Sequence, residues 1–483
     1  MKLSELIQGL PVMLTKGDIN IEVKGITKDS RKVDKGYIFF STDNSGKYIE
    51  DAARKGAVAL VADKEFQGPF KCSVIVTDPK EALGKAASRF YGLPSEKLNV
   101  IGITGTNGKT TTSYLIESIL KSDGRKAGLI GTISYRYNGL TLKAENTTPG
   151  AGELHSLLND MHKADIEFVV MEVSSHSLDQ KRVEGVNFDT AVFTNLTHDH
   201  LDYHGDFEHY RNAKRILFKH YLMQSTKDDK SAILNMDDPY MNEFIPYTPV
   251  KTFCYSLSKN TDAYLTSYGE DIKGLRLECS IMGKTISITS PMIGIFNASN
   301  ILAAGLFGYS SKIPPEKIIA GIEGLEGVPG RLERVKNTKG VYVFIDYAHT
   351  PDALKNVLEV LGRLKQGRLI VVFGCGGDRD TAKRPIMGSI ASQLADFSIV
   401  TTDNPRGEEP KKIINAILEG FSANSYRVVE DRKEAILEGL EMSNEKDVVL
   451  IAGKGHEDYQ IIGREVNYFS DREVVEEFYN VAH

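Results

Sequence analysis

Between residues 99 and 124 an apolar strand, a Gly-rich turn and an amphipathic helix follow one another without interruption, and no other stretch of the chain restricts its fold as strongly. NVIGI reads as a short buried strand. Thr104-Gly105-Thr106-Asn107-Gly108-Lys109-Thr110-Thr111 reads as the turn, and TTTSYLIESILKSDG has helical apolar spacing that closes at Gly124. Strand, glycine turn and helix in that order are the setting a phosphate loop requires. Glycines let backbone N–H groups close around phosphate oxygens, and the helix N-terminus adds a favourable dipole. Gly105, Thr106, Asn107, Gly108 and Thr111 then line the phosphates, Lys109 offsets the charge of the β- and γ-phosphates, and the Thr110 hydroxyl ligates Mg²⁺. The strict spacing G-x-x-x-x-G-K-[ST] is not met, because position 103 is Ile and Gly102 stands one residue too early. A plain Gly-rich turn is the competing reading. The flanking strand and helix, with the GKT triplet, favour nucleotide binding.

A chain of 483 residues exceeds what one core sustains, and at roughly 150 residues per domain about three are expected. Residues 1–98 hold GYIFF, AVALVAD and SVIVTD, with helical stretches AARKG and EALGKAASRFYG nearby. They form a small α/β block that ends in the polar, Pro-bearing GLPSEKLN. Residues 99–332 hold the phosphate loop and the later apolar runs EFVVMEV and TAVFTNL. Strands alternating with helices imply a parallel sheet covered on both faces. Within this block VKTFCYS, DAYLTSYG, GLRLECS and KTISITS read as antiparallel strands joined by short turns, an added sheet. Residues 333–483 hold VYVFIDYAH, RLIVVFGCGGD, FSIVTTDNP and DVVLIAGKG, apolar runs that each end in Gly, Asp, Asn, Pro or His. Loops at the carboxyl ends of parallel strands are where doubly wound sheets bind ligands. The expected fold class is therefore α/β: a small N-terminal α/β domain, a central parallel-sheet P-loop domain with an added antiparallel sheet, and a Rossmann-like doubly wound C-terminal domain.

Composition excludes several classes. Lys and Arg total 59 against 65 Asp and Glu, a net charge of −6, so a protein that coats nucleic acid or an anionic membrane is not expected. The four cysteines, 72, 254, 279 and 375, form no CxxC pair, which fits a reducing compartment without a disulfide framework. MKLSELIQGLP lacks the sustained apolar stretch of a secretory signal, and no window approaches about 18 uninterrupted apolar residues. A cytoplasmic setting and a monomer are expected.

Two further features bear on a metal. Glu172 ends the apolar run EFVVMEV, where a carboxylate faces the phosphate site if its strand neighbours that of the loop. A surface Glu at a strand end is the alternative, and the loop favours the metal role. THDHLDYHGDFEHY carries His198, His200, His204, His209, Asp199 and Asp202. It reads as a zinc or dinuclear site, as a hydrated turn, or as the source of one Mg²⁺ ligand, with His200 the best candidate. No Cys accompanies it and the spacing is not H-E-x-x-H, which disfavours zinc.

GTNGKTTT, ENTTPG, MEVSSHSLDQKR, TNLTHDHLDYHG, YRNAKRILF, GIFNASN, GRLE, DYAHTPDAL, GCGGDRD, DNPR and AGKGHEDYQ occur in that order over nearly the whole chain. Together they resemble the Mur ligases of peptidoglycan synthesis, and among these the MurE type, which adds the third residue of the stem peptide. The resemblance implies an ATP-dependent amide ligase. ATP phosphorylates the D-Glu carboxylate of UDP-MurNAc-L-Ala-D-Glu, and the amine of the incoming amino acid captures the acyl phosphate. It implies that Lys109, Glu172, His200 and Lys214 are catalytic, with Thr110, Glu172, His200 and Lys214 around Mg²⁺. Lys214 matches a lysine that the family carries as a carbamate. Asn297, Arg331, Asp346 and His349 match ATP contacts. Asn146, Thr147, Thr148, Ser174, Gln180 and Arg182 match contacts to the sugar-peptide substrate, and Ser30 a contact to its UDP end. Asp403-Asn404-Pro405-Arg406 is the form the family shows with meso-diaminopimelate, and Arg379, Gly453 and Glu457 match other contacts to that amino acid. An Arg fork binds the distal carboxylate that lysine lacks, and Glu457 accepts from the distal ammonium. The alternative for Arg406 is a loop arginine paired with Glu408 or Glu409. Between IFF and GKYI the chain has only STDNS where relatives carry a longer loop, so no contact is assigned to residues 41–47.

Competing functions are a lysine-adding ligase of the same type, which Arg406 opposes, and folylpolyglutamate synthetase, which shares the GTNGK loop without DNPR. A regulatory P-loop NTPase leaves the C-terminal block unexplained. A dehydrogenase does not fit the GCGGD spacing.

Overall fold

The computed structural model describes residues 1–42, 46–247 and 249–480. Residues 43–45, within the short loop at 41–47, lie outside the described residues. The chain divides into two compact units: Met1–Leu265 with Ser280–Lys284 and Ser299–Gly321, and Thr266–Cys279 with Thr285–Ala298 and Ile322–His483.

The first unit contains two sheet layers. Near the N-terminus Gly25–Thr27, Tyr37–Phe40, Ala59–Ala62 and Cys72–Val76 run parallel, and Val12–Gly17 closes the edge antiparallel to Cys72–Val76. Gly17 is required at that edge. Its φ is +105°, and a Cβ there lies 2.1 Å from the Lys71 carbonyl oxygen. Helix Pro79–Phe90 covers this sheet. Asp78 caps it by accepting from the Lys80 and Glu81 N–H groups, and Pro79 occupies the first turn, where no N–H is needed.

The second layer is built on Asn99–Thr104. Phe168–Glu172 lies parallel on one side and Thr190–Phe193 on the other. Ala127–Ile130 flanks the former, and Ser231–Asn235 then Lys251–Ser256 flank the latter. The chain leaves Asn99–Thr104 in both directions, so its carboxyl end is a topological switch point, where such sheets open a crevice for ligands. The apolar face packs Val100, Met171, Phe188, Phe193 and Leu234 into one core. Helix Lys109–Ser122 stops at Gly124 (φ +76°), where Gly124 N–H donates to Lys121 and Arg125 N–H to Leu120.

One expectation is corrected here. VKTFCYS is not an antiparallel strand: Lys251–Ser256 pairs parallel to Ser231–Asn235 in register from Lys251↔Ser231 to Tyr255↔Asn235. The reason lies in the connection, since residues 236–250 are long enough to cross back over the sheet, whereas antiparallel neighbours need only a tight turn.

Thr266–Cys279 and Thr285–Ala298 give the second unit most of the later strands of that series, Ala263–Asp271, Gly274–Ile281 and Lys284–Ser290, which follow one another through short turns at 272–273 and 282–283. Its main sheet runs Glu333–Val335, Tyr342–Asp346, Val448–Ala452, Leu369–Phe373, Phe397–Val400, Tyr426–Val428. All neighbours are parallel except the first pair. Helices Pro351–Leu364, Lys383–Leu394 and Pro410–Leu418 pack on one face, and Arg432–Glu441 and Asp471–Tyr479 on the other. This is a doubly wound sheet, and its central strands Tyr342–Asp346, Val448–Ala452, Leu369–Phe373 and Phe397–Val400 are buried on both faces. No helix among the described residues is long and apolar enough to cross a membrane.

Candidate active site

In the first unit the Gly-rich turn is held from the neighbouring strand end. The Thr106 N–H donates to the Asn195 carbonyl at 2.8 Å and the Asn107 N–H to Asn195 Oδ1 at 2.9 Å. Thr194 Oγ1 donates to the Asn107 carbonyl at 2.6 Å. Gly105 (φ +149°) is compelled, because a Cβ there lies 1.9 Å from Thr194 Oγ1. Gly108 (φ +82°) opens the helix, and a Cβ there meets Asn300 Oδ1 at 2.4 Å.

Two lysines converge on this turn. Lys109 Nζ donates to the Gly105 carbonyl at 2.9 Å and to the Thr106 carbonyl at 2.8 Å. Lys214, from helix Phe207–Ile216, donates to the same Gly105 oxygen at 2.7 Å and lies 4.6 Å over the Tyr210 ring. Lys214 is 1% exposed. Burial, and then the Lys109 charge, hold its amine well below the usual lysine pKa, with Asp199 opposing.

Glu172 is fully buried at its strand end. Its carboxylate accepts from the Thr110 hydroxyl at 3.0 Å, the Thr132 N–H at 2.9 Å and the Thr132 hydroxyl at 3.0 Å. It is not a surface residue. Thr110 and Glu172 thus offer adjacent hard oxygen donors of the kind Mg²⁺ takes. Thr104 Oγ1, at the mouth of the turn, is buried without a hydrogen-bond partner. These residues fit a magnesium–phosphate group.

The histidine segment divides. His200 (φ +53°) packs against the rings of His176 and Tyr210, and Asp199 Oδ2 lies 3.4 Å from its Nε2. Burial holds His200 below the ordinary histidine pKa and carries His176 down to about 4, so both are neutral imidazoles able to ligate. His204 bonds Ser175 Oγ. His198 stacks on Phe207, and the exposed His209 pairs with Asp206 at its helix cap. Among the described residues no group of three or more His, Cys, Asp or Glu side chains is gathered that could hold a metal ion.

The residues expected at the sugar-peptide substrate form a chain leading to Glu172. Thr148 Oγ1 donates to the Glu172 carbonyl at 2.8 Å and accepts from the Ser174 N–H. Arg182 donates to the Thr148 carbonyl at 3.0 Å and grips Gln180 Oε1 through two donors. Thr147 Oγ1 meets Thr132 Oγ1 at 3.1 Å, and the Asn146 carbonyl accepts from Tyr135 at 2.6 Å. Ser30 belongs to the N-terminal layer, where its carbonyl accepts from Lys55.

In the second unit Asp346 ends its strand and accepts from the Leu332 N–H at 2.6 Å. Burial raises its pKa to about 6, against the pull of Arg331. Arg331 lies 5.0 Å over the Tyr347 ring, and His349 Nδ1 bonds the Tyr347 carbonyl at 2.8 Å. Asn297 donates to the Ile293 carbonyl within its own helix end.

The DNPR segment sits beside the AGKGHE turn. Asn404 Nδ2 donates to Glu457 Oε2 at 3.0 Å, while Asn404 Oδ1 accepts from the Ile461 N–H at 3.0 Å and from Lys454 at 3.3 Å. Gly453 (φ +117°) leaves room for Asp403, whose Oδ2 lies 2.7 Å from any Cβ there. Arg406 (φ +50°) donates to the Gly377 carbonyl at 2.9 Å. It is not paired with Glu408 or Glu409: Arg384 holds Glu408 at 2.8 Å and Lys412 lies 3.6 Å from Glu409. Arg379 is exposed and reaches only its neighbour's carbonyl among the hydrogen bonds described.

Sequence reasoning missed Thr132, Thr194, Asn195 and Tyr210 in the first unit, and Lys454, Tyr347 and Tyr459 in the second. Tyr210 was within reach, because it stands four residues before Lys214 on one helix face. The threonines and Asn195 carried no local signal.

The Mur ligase middle domain family matches residues 103–308, and the Mur ligase glutamate ligase domain family matches residues 330–455. The UDP-N-acetylmuramoyl-L-alanyl-D-glutamate--2,6-diaminopimelate ligase of Clostridium tetani is 42% identical over 488 residues, covering 99% of each chain. A solved ligase of the same name superposes with a TM-score of 0.73 at 31% identity, covering 99% of each chain. The MurF ligase of Thermotoga maritima, solved in complex with ADP, shares the fold with a TM-score of 0.62 at 20% identity, over 95% of this chain and 97% of that one. With the two-lysine phosphate turn, the buried Thr110–Glu172 pair and the DNPR segment all in place, the chain belongs to the Mur ligase family, in its MurE-type branch.

Proposed function

We propose that the protein joins meso-2,6-diaminopimelate to the D-Glu carboxylate of UDP-MurNAc-L-Ala-D-Glu at the expense of ATP, as a cytoplasmic monomer. The observation that carries this most directly is the buried Thr110–Glu172 pair beneath a glycine turn held by two lysines. The names of relatives about 40% identical over their full lengths supply the substrates.

The chemistry proceeds in two displacements. A carboxylate oxygen of D-Glu attacks the γ-phosphorus of ATP and ADP leaves, giving an acyl phosphate. The amine of the amino acid then attacks the acyl carbon, inorganic phosphate leaves, and the amine loses a proton to give the amide. Three anionic groups meet in the first step, so the protein must offset their repulsion. Lys109 and the N–H groups at the start of helix Lys109–Ser122 are assigned to the phosphates, while the Thr106 and Asn107 N–H groups hold the turn to Asn195. Thr110, Glu172, His200 and Lys214 as its carbamate would hold Mg²⁺, which would supply further neutralisation of phosphate oxygens. Thr147, Thr148, Ser174, Gln180 and Arg182, with Asn146 and Ser30, orient the nucleotide-sugar peptide. Asn297, Arg331, Asp346 and His349 are assigned to ATP, and Arg379, Asp403 to Arg406, Gly453 and Glu457 to the amino acid. We assign the three functions to residues 1–98, 99–332 and 333–483.

Lys214 reacts as a neutral amine: its nitrogen bonds the carbon of CO₂ and a proton leaves, so that a neutral side chain becomes an anion. The low pKa of Lys214 supports this, because only the unprotonated amine adds CO₂.

The deciding experiment gives the purified protein ATP, Mg²⁺, the UDP-linked dipeptide and either labelled meso-diaminopimelate or labelled L-lysine. Preferential incorporation of meso-diaminopimelate with matching phosphate release is expected. Equal incorporation of both overturns the role given to Arg406, and no incorporation of either overturns the function.

A further inference from the structure

Glu457 is crowded with donors. Its Oε2 accepts from Asn404 Nδ2 at 3.0 Å and from Lys454 Nζ at 3.2 Å, and its Oε1 accepts from the Tyr459 hydroxyl at 3.2 Å and the Tyr347 hydroxyl at 3.5 Å. A carboxylate has about four lone-pair positions, so these four donors occupy them all. One of the four is a full positive charge. The Lys454 side chain is 0% exposed and that of Glu457 is 14% exposed, so water screens the pair poorly. Lys454 also donates to Asn404 Oδ1 at 3.3 Å, which turns the Asn404 amide so that its NH₂ faces Glu457. Asn404 and Arg406 belong to the same DNPR turn, and Arg406 carries the nearby positive fork.

These contacts set a charge balance that no single residue of the turn shows. An unpaired Glu457 beside Arg406 suits an ammonium and a carboxylate, but it also suits an ammonium alone. With Lys454 ion-paired to it, Glu457 has little net charge left for a lone cation. We propose that Lys454 is a positioning residue that neutralises Glu457, and thereby restricts the pocket to amino acids whose distal end carries both an ammonium and a carboxylate. The inference rests on the proposed function, in which Glu457 and Arg406 face that end. A substrate bearing both charges keeps its carboxylate contact with Arg406. One bearing only an ammonium must displace a charged donor from Glu457 and receives no compensating contact.

The test compares kcat/KM for meso-diaminopimelate and L-lysine in the wild type, K454M and K454M/E457Q. Methionine keeps the length of the buried stem without its charge. In K454M the preference for meso-diaminopimelate over lysine is expected to fall by about tenfold or more, the worth of one hydrogen bond to a charged group, through a lower KM for lysine. In K454M/E457Q both charges are gone, and the gain in lysine use is expected to disappear. K454Q serves as the second variant should K454M fail to fold, with the same shift expected. An unchanged preference, with both amino acids losing activity in parallel, assigns Lys454 a structural role only and overturns the proposal. A wild type that incorporates neither amino acid defeats the functional reading itself, and the proposal with it. A wild type selective for meso-diaminopimelate whose variants stay equally selective defeats the proposal alone.

Discussion

Replacing Lys214 by Met separates stability from catalysis. The amine is buried, its acceptor is the Gly105 carbonyl at 2.7 Å, and burial holds its pKa well below 10.5. The unfolded chain keeps the ordinary lysine value, so between the lowered folded value and 10.5 the unfolded state binds more protons than the folded state. Folding therefore carries a penalty at neutral pH, which shrinks as pH rises toward 10.5. Met has no proton to lose and still packs on the Tyr210 ring. Replacing a buried ionisable group by an apolar one of similar volume raises stability by about 1–4 kcal/mol. The lost hydrogen bond subtracts about 1 kcal/mol, and the Gly105 carbonyl keeps its bond from Lys109. The K214M protein should thus match or exceed the wild type in stability, by up to about 3 kcal/mol near pH 7 in CO₂-free buffer, with the advantage fading as pH rises. Urea unfolding at several pH values measures it. Phosphate release with all substrates present should vanish in the same variant, and a carbamate carbon signal from isotopically labelled CO₂ should appear in the wild type only. A variant less stable than the wild type at neutral pH, or an advantage that grows with pH, refutes the burial argument. Near-normal turnover refutes the carbamate role.

Lys109→Ala should abolish phosphate release even with every substrate present, because nothing else described at the Gly105 and Thr106 carbonyls brings a charge from the turn itself to the phosphates; near-normal turnover defeats the ATP-site assignment. Asp471→Asn should cost about 3–5 kcal/mol in thermal or urea unfolding, since it leaves the fully buried Arg432 without its anion. That guanidinium also donates to the carbonyls of Thr402 and Ala452, at the ends of the strands leading to DNPR and AGKGHE, so an unchanged unfolding midpoint shows that those backbone contacts alone hold it.

What was legible in the sequence was local. The phosphate turn is written in one short segment, because a strand, two forced glycines and a helix start need no distant partner to be recognised. Glu172 could be placed because a strand neighbouring Asn99–Thr104 must deliver its last residue to the same edge, and Glu172 indeed aligns with Ile103. The direction of Lys251–Ser256 was not legible: its alternation suits either pairing, and only the path of residues 236–250 decides. Short strands such as Ala127–Ile130 and Gly25–Thr27 were also passed over, since three or four residues carry too little periodicity. Lys454 was hidden for a different reason. Its ion pair with Glu457 is local, but its partner Asn404 lies fifty residues away, and a hydrogen bond between two separate turns is a property of packing.

The convergence of Lys109 and Lys214 on one carbonyl explains why one of the two amines must be unusual. Both nitrogens lie within 2.9 Å of the Gly105 oxygen, so they are at most about 5.6 Å apart, where two like charges repel by about 3 kcal/mol at an effective dielectric constant near 20. The half-buried Lys109 can share its charge with solvent and with an arriving phosphate, whereas Lys214 has the aromatic face of Tyr210 and almost no water. Of the two amines, Lys214 is therefore the one whose charged form the fold disfavours. A lysine so placed suits the carbamate proposed above: with an anion at that nitrogen, the repulsion toward Lys109 would become an attraction. Burying a second lysine at this turn, a net cost by itself, thus supports the proposal that an anion is built there.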